Sequence, residues 1–157
     1  MTKIPVSLLK NPIHLLSVGF GSGLAKKAPG TFGTLAALPF WYALQFLSPV
    51  YYIVVLIAAF ALGVYLCGAT AKALGVHDHG GIVWDEFVGL WIALFMVPMN
   101  IYWIALGFAL FRLFDIWKPW PIRVLDAKVH GGFGIMIDDV VAGVYAYLVL
   151  QLIFVLS

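Results

Sequence analysis

Between residues 28 and 71 the chain carries no charged side chain, and between Glu86 and Arg112 it again carries none. Ser48-Pro49-Val50 breaks the first stretch into apolar segments at 34–47 and 51–71, and Pro98-Met99-Asn100 divides 87–111 into two more. A last apolar run covers 140–157. A spanning helix needs about 20 residues, so 51–71 qualifies easily. The segment at 34–47 is short, and three readings stay open for it: tilted, broken at Pro39, or re-entrant. The pattern predicts an all-α integral membrane protein, a small polytopic bundle of about four to five membrane helices, forming one membrane-embedded domain over 1–157. Ahead of the bundle, residues 1–27 intersperse Lys3 and Lys10 with Ile4, Val6, Leu8, Leu9, Ile13 and Leu15. Lys10-Asn11-Pro12 interrupts any long signal-peptide core. This segment is expected to remain on the protein and lie in the headgroup region, with His14 at the interface.

Composition strengthens the membrane reading. Of 157 residues, 64% are hydrophobic and only 10% charged, with a mean hydropathy of +1.04. A soluble domain of this size could not cover such a surface with polar groups. The net charge of +2 and the lack of a basic patch interleaved with aromatics give no case for nucleic-acid binding. One cysteine, Cys67, permits neither an intrachain disulfide nor a CxxC zinc pattern. A phosphatase cysteine loop wants an arginine six positions on, and that position holds Ala73. Cys67 therefore reads as a buried helix residue.

The placement of charge gives the topology. Lys3, Lys10, Lys26 and Lys27 precede the first segment, Lys72 follows the second, and Lys118, Arg123 and Lys128 lie between the fourth and fifth. The remaining turns are uncharged, so the positive-inside rule puts every charged segment on the cytoplasmic side. All seven carboxylates (Asp78, Asp85, Glu86, Asp115, Asp126, Asp138 and Asp139) fall between positions 78 and 139, on that same face. A solubilising coat would be spread over both faces; a one-sided set reads as a site.

Two stretches resemble each other. "HGGIVWDEFVG" at 79–89 and "HGGFGIMIDDVVAG" at 130–143 both run His-Gly-Gly, apolar residues, two adjacent acids, then a glycine four positions after one of them (Asp85 to Gly89, Asp139 to Gly143). Such a pattern places acids in or near the first turns of a helix, where the dipole favours negative charge, and a glycine one turn deeper where another helix packs closely. Two such entrances, with Asp115 at the end of the fourth helix, bring about five carboxylates together, a number that cannot all stay ionised in one pocket without a cation. Hard oxygen ligands in this number point to Mg2+, with Asp85, Glu86, Asp115, Asp138 and Asp139 as candidate ligands. Adjacent acids diverge by about 100° on a helix; Asp85 and Asp139 are the expected inner ligands, with Glu86 and Asp138 at the rim. The competing reading is structural: interfacial acids paired with Arg112, Lys118 or Arg123.

In "FRLFDIWKPWPIR", Arg112 and Asp115 lie one turn apart and Lys118 precedes the stop at Pro119. Arg112, Lys118 and Arg123 suit a phosphate at headgroup depth, or equally a helix C-terminus. "GFGSGLAKKAPGTFG" fails the Walker spacing; a flexible entrance lining a headgroup pocket and a plain bend both stay open. "HDHGG", with His77 and His79 around Asp78, reads as a solvated loop in preference to a metal site.

Taken together, "GFGSGLAKKAPGTFGTLAALP", "IVWDEFVG", "FRLFDIWKPWPIRVLD" and "HGGFGIMIDDVVAG" resemble the bacterial phosphatidylglycerophosphatase A family. The resemblance covers nearly the whole chain after the first dozen residues. It implies a phosphoric monoester hydrolase of the inner membrane that converts phosphatidylglycerophosphate to phosphatidylglycerol and inorganic phosphate and requires Mg2+. By position it puts the family's acidic motifs on Asp85, Glu86, Asp115, Asp126, Asp138 and Asp139, and its basic motif on Arg112, Lys118 and Arg123. Two departures stand out: Asp126-Ala127-Lys128 lacks an expected arginine after the aspartate, and Lys26-Lys27 is more basic than the family pattern. Attack by a metal-bound water is preferred to a covalent aspartyl-phosphate, since the chain has no DxDxT pattern. The rival from another class is a small cation or proton-coupled transporter, because intramembrane acids often mark ion paths.

Overall fold

The computed structural model describes residues 4–77 and 79–156, so Asp78, Lys3 and the last residue of the 140–157 run lie outside the described residues. Two 3-10 turns, Val6–Lys10 and Gly19–Leu24, bracket α1 (Pro12–Ser17). There follow α2 (Pro29–Leu44), α3 (Pro49–Leu74), α4 (Trp84–Ala93), α5 (Ile101–Trp117), α6 (Ile122–Lys128) and α7 (Gly131–Leu156), with no strand among the described residues. The all-helical expectation holds. Proline opens α1, α2 and α3, where its missing N–H costs nothing. Asn11 and Asn100 cap α1 and α5 by accepting the amides of Ile13 and Tyr102.

α3 and α7 have 26 residues each and are the two described helices long and apolar enough to cross a membrane. In each, only 28% of the most apolar window is buried, whereas the core helix of a soluble protein is mostly buried. Ile53, Val54, Ile57 and Leu62 of α3 and Leu148, Leu152 and Phe154 of α7 all face outward. Such bared faces suit lipid and not water.

α4 is different in kind. Eight of its ten residues, from Trp84 to Ala93, are buried. At 1.5 Å per residue it rises only about 15 Å, half the apolar thickness of a bilayer. Its carbonyl end is satisfied from neighbouring helices: Tyr52 Oη of α3 donates to the carbonyl of Trp91 (2.7 Å), and Trp41 Nε1 of α2 donates to that of Leu94 (3.1 Å). In return Trp84 Nε1 donates to Ala59 O and Trp91 Nε1 to Ala37 O. Three tryptophans and a tyrosine thus bury their rings while every polar atom named here finds a partner.

α7 packs against α3, α4, α5 and α6 and organises the bundle. It begins at Gly131, nine residues before the predicted 140–157 run. A Cβ on Gly132 would collide with Val64 O of α3, so this first turn is fixed by a backbone-to-backbone crossing that hydropathy does not register. Gly143 meets Gly89 of α4 in the same way. The glycines one turn below the two acid pairs thus form the α4–α7 contact that the repeat suggested. α1 docks on α3, with His14 buried and its Nδ1 2.9 Å from Thr70 Oγ1. His14 is therefore part of the packed structure, where the sequence placed it at an interface; Thr70 supplies the polar partner that makes its burial affordable. Cys67 is buried in α3.

Candidate active site

The N-terminal end of α4, the third turn of α7 and the C-terminal end of α5 meet at one end of the bundle. α4 brings Asp85 and Glu86 in its first turn. α7 brings Asp138 and Asp139, which are not in its first turn because the helix starts so far upstream. The dipole argument made for both acid pairs therefore applies to α4 alone.

Asp85, Glu86 and Asp139 each offer a carboxylate oxygen within 4.8 Å of the others. Among the described residues this is the group with the spacing to hold a metal ion. Asp85 Oδ1 also accepts the amide of Glu86 (3.1 Å). Asp115, on the last turn of α5, lies within side-chain hydrogen-bonding reach of Asp139 and pairs with Arg112 one turn earlier. Arg112 Nη1 is 3.6 Å from Glu86 Oε1 and donates to Thr34 Oγ1 at 3.4 Å.

Asp138 diverges from Asp139, as neighbours on a helix must. Its Oδ2 accepts from Lys118 Nζ at 2.8 Å, and Lys118 makes a second 2.8 Å pair with Asp126 of α6. Lys118 ends α5 in the left-handed conformation (φ 48, ψ 59), strained for a residue with a Cβ; its two carboxylates hold it there. Burial disfavours its charge, but the hydrogen bonds it donates to Asp126 and Asp138 outweigh that and hold its ammonium above the ordinary lysine range.

The nine expected site residues thus separate. Asp85, Glu86, Asp139, Asp115 and Arg112 form one connected cluster, and Lys118, Asp126 and Asp138 an adjoining one. Arg123 is exposed on α6, outside both. His77, His79 and His130 stand apart from the trio. His77 Nε2 lies 3.0 Å from His130 Nδ1, and the buried His79 accepts the amide of Gly81 through Nδ1. Thr34 and Gly30 of α2 line the cluster and were not singled out from the sequence; their signal was the small-residue run "PGTFGT" at a helix start.

The donor set suits a hard divalent cation. Six carboxylates (Asp85, Glu86, Asp115, Asp126, Asp138, Asp139) face two cations (Arg112, Lys118), an excess of four negative charges if all ionise. Glu86 Oε2, Asp138 Oδ1 and Asp139 Oδ2 are buried without a protein partner among the described residues, which buried carboxylate oxygens rarely are. Oxygen ligands of this type and number fit Mg2+.

Fold and cluster define a class first: an all-helical protein with two helices long and apolar enough to cross a membrane and an acid-rich, cation-lined site at one end. The family model described as Phosphatidylglycerophosphatase A matches residues 15–154. The chain belongs to the phosphatidylglycerophosphatase A family. It is 60% identical over 137 residues to Phosphatidylglycerophosphatase A of Escherichia coli, covering 87% of this chain and 80% of that one. To the protein of the same name from Haemophilus influenzae it is 56% identical over 146 residues, 92% of this chain and 89% of the relative. A protein of Bacteroides thetaiotaomicron, provisionally named a phosphatidylinositol-3-phosphatase, is 40% identical over 144 residues, 87% of this chain and 89% of its own. No solved structure matches the chain.

Proposed function

We propose that this protein is a Mg2+-dependent phosphoric monoester hydrolase that converts phosphatidylglycerophosphate to phosphatidylglycerol and inorganic phosphate on the cytoplasmic face of the bacterial inner membrane. The observation that carries this reading is the convergence of Asp85, Glu86 and Asp139 beside Arg112, in a chain 60% identical to a phosphatidylglycerophosphatase A. The Bacteroides relative's name concerns a different headgroup, but the bond is the same kind, a phosphomonoester at the head of a lipid.

In this reading the chain crosses the membrane five times. α5 returns from Asn100 to the level of the site in 17 residues. α4 and the irregular stretch at 94–100 together must descend the same distance, so the pair crosses although α4 alone is too short. Non-helical backbone at that depth is tolerated because it is buried in protein, here with Trp41 bonded to Leu94 O. The acids then lie at headgroup depth, where a lipid presents its phosphate while its acyl chains stay in the bilayer.

Asp85, Glu86 and Asp139 are the residues that would hold Mg2+, with Asp115 bearing on Asp139 from α5. When bound, the ion would neutralise phosphoryl oxygens and acidify an attacking water. Arg112, fixed by Asp115 and Glu86, donates to phosphoryl oxygens. Lys118, pinned between Asp126 and Asp138, adds positive field to a phosphoryl group gaining charge in the transition state. Water forms the new P–O bond and gives up one proton to solvent, the bond to the glycerol oxygen breaks, and that oxygen takes a proton from solvent, so that the products are the alcohol and inorganic phosphate.

Protein reconstituted into vesicles tests this against an ion-transport role. Phosphate release from phosphatidylglycerophosphate with Mg2+ and no accompanying cation or proton flux is expected; flux without hydrolysis would overturn the reading.

A further inference from the structure

The first turns of α2 press on the site in a way that the acid and base motifs do not explain. Thr34 is fully buried. Its hydroxyl has one hydrogen, and that hydrogen goes to Gly30 O at 2.8 Å. The oxygen is thereby fixed as an acceptor, and Arg112 Nη1 donates to it at 3.4 Å. Asp115 and Glu86 draw the same guanidinium toward α5 and α4, while Thr34 draws it toward α2. All three contacts fall on Nη1, so acceptors from three elements hold that corner of the guanidinium in place where a single one would leave it free to swing. Gly30 completes the arrangement from one turn earlier: a Cβ there would meet Glu86 Oε1, and Arg112 Nη2 and Nη1 at 3.0 and 3.1 Å. The absence of a side chain at position 30 is what admits both site groups against the helix.

We propose that Gly30 and Thr34 are positioning residues for substrate phosphate: Thr34 aims the Arg112 guanidinium through its fixed hydroxyl, and Gly30 leaves room for Arg112 and Glu86 to lie side by side. The inference rests on the phosphatase reading of the site. It assigns the "PGTFGT" stretch to phosphate recognition through Arg112, and not to a bend in the chain.

The two positions separate fold from function. The atoms that a Cβ at position 30 would meet most closely are ends of flexible side chains, so Gly30→Ala displaces Arg112 and Glu86 while the helices keep their places. Thr34→Val preserves shape and removes the acceptor; Thr34→Ser restores it.

Detergent-purified wild type and the three variants are compared in mixed micelles of phosphatidylglycerophosphate. KM, kcat and the inhibition constant of inorganic phosphate are measured beside the melting temperature. In Thr34→Val, KM and the phosphate inhibition constant rise together by about tenfold or more, the scale of one lost hydrogen bond to a charged group, with kcat moved less. Thr34→Ser stays close to wild type. Gly30→Ala loses at least as much kcat/KM as Thr34→Val, with its melting temperature held. Wild-type constants in Thr34→Val, or equal damage in Thr34→Ser and Thr34→Val, overturn the positioning role and leave the phosphatase reading intact. A wild-type protein that releases no phosphate fails that reading and this inference with it.

Discussion

Gly143→Ala puts one methyl group where α7 touches α4. Its carbon would lie 3.1 Å from Gly89 C and 3.2 Å from Gly89 Cα, and closer still to Gly89 O, where ordinary contact begins at 3.4 Å. These neighbours are backbone, so no side chain can turn away and the two helices must part by roughly 1 Å, since packed interiors hold no slack. Overpacking of this kind costs about 1–3 kcal/mol. The functional cost is larger, because Asp85 and Glu86 ride on α4 while Asp139 rides on α7, one turn from the wedge. A shift of about 1 Å in reacting groups lowers rates by about a hundredfold. The assay pairs phosphate release with thermal unfolding in detergent, using Val144→Ala, at an exposed position of α7, as the control. Gly143→Ala should melt lower and hydrolyse about a hundredfold more slowly, with Val144→Ala unchanged in rate. Wild-type rate and melting temperature in Gly143→Ala would refute the claim that the glycine contact sets the carboxylate spacing.

Asp139→Asn removes a charge from the trio and should lower hydrolysis by orders of magnitude that added Mg2+ does not restore, whereas Asp138→Asn, whose contact is Lys118, should retain more of the maximal rate and respond to Mg2+; equal losses in Mg2+ titrations of both would contradict this division. Lys118→Met should lower the melting temperature by an amount that stays constant from neutral pH up to the ordinary lysine value of about 10.4. The folded-state pKa is raised, so the contribution of the charge is complete below the unfolded value and fades only as pH climbs beyond it; a difference that already shrinks between pH 7 and 9 would count against the Asp126–Lys118–Asp138 bridge. In a Cys67→Ala background, Asn100→Cys and Lys128→Cys should label from opposite sides of the membrane, and labelling of both from the periplasm would rule out a one-sided cytoplasmic site.

Helical class, the gathering of acids at one end of the bundle and the glycine contact between α4 and α7 were legible because each leaves a one-dimensional trace: long uncharged runs, clustered Asp and Glu, and glycines at fixed offsets. Helix bounds were less so. Hydropathy places the last run after Asp139, but α7 starts at Gly131 because glycine-on-backbone crossings with α3 extend the helix through polar sequence. The shortness of α4 was hidden too, since Val97 and its neighbours are as apolar as the helix itself; what ends it is tertiary, the capping of Trp91 O and Leu94 O by Tyr52 and Trp41. Adjacency in sequence did not reveal that Asp138 and Asp139 would serve different partners, Lys118 for one and the carboxylate trio for the other. Gly30 lay in a stretch the sequence left open as a headgroup-pocket lining or a bend, but neither it nor Thr34 was given a role because neither titrates; their bearing on the site comes from the position of α2.

Phosphate release by the purified protein from phosphatidylglycerophosphate, measured with Mg2+ and again after its removal by a chelator, decides whether the carboxylate trio is a metal-dependent phosphatase centre. Release with Mg2+, its loss on chelation and its return on adding Mg2+ back are the predicted results. Undiminished release in the chelated sample, or none from a folded, Mg2+-supplied protein, would contradict the reading of Asp85, Glu86 and Asp139 as the metal-holding centre of a lipid phosphatase.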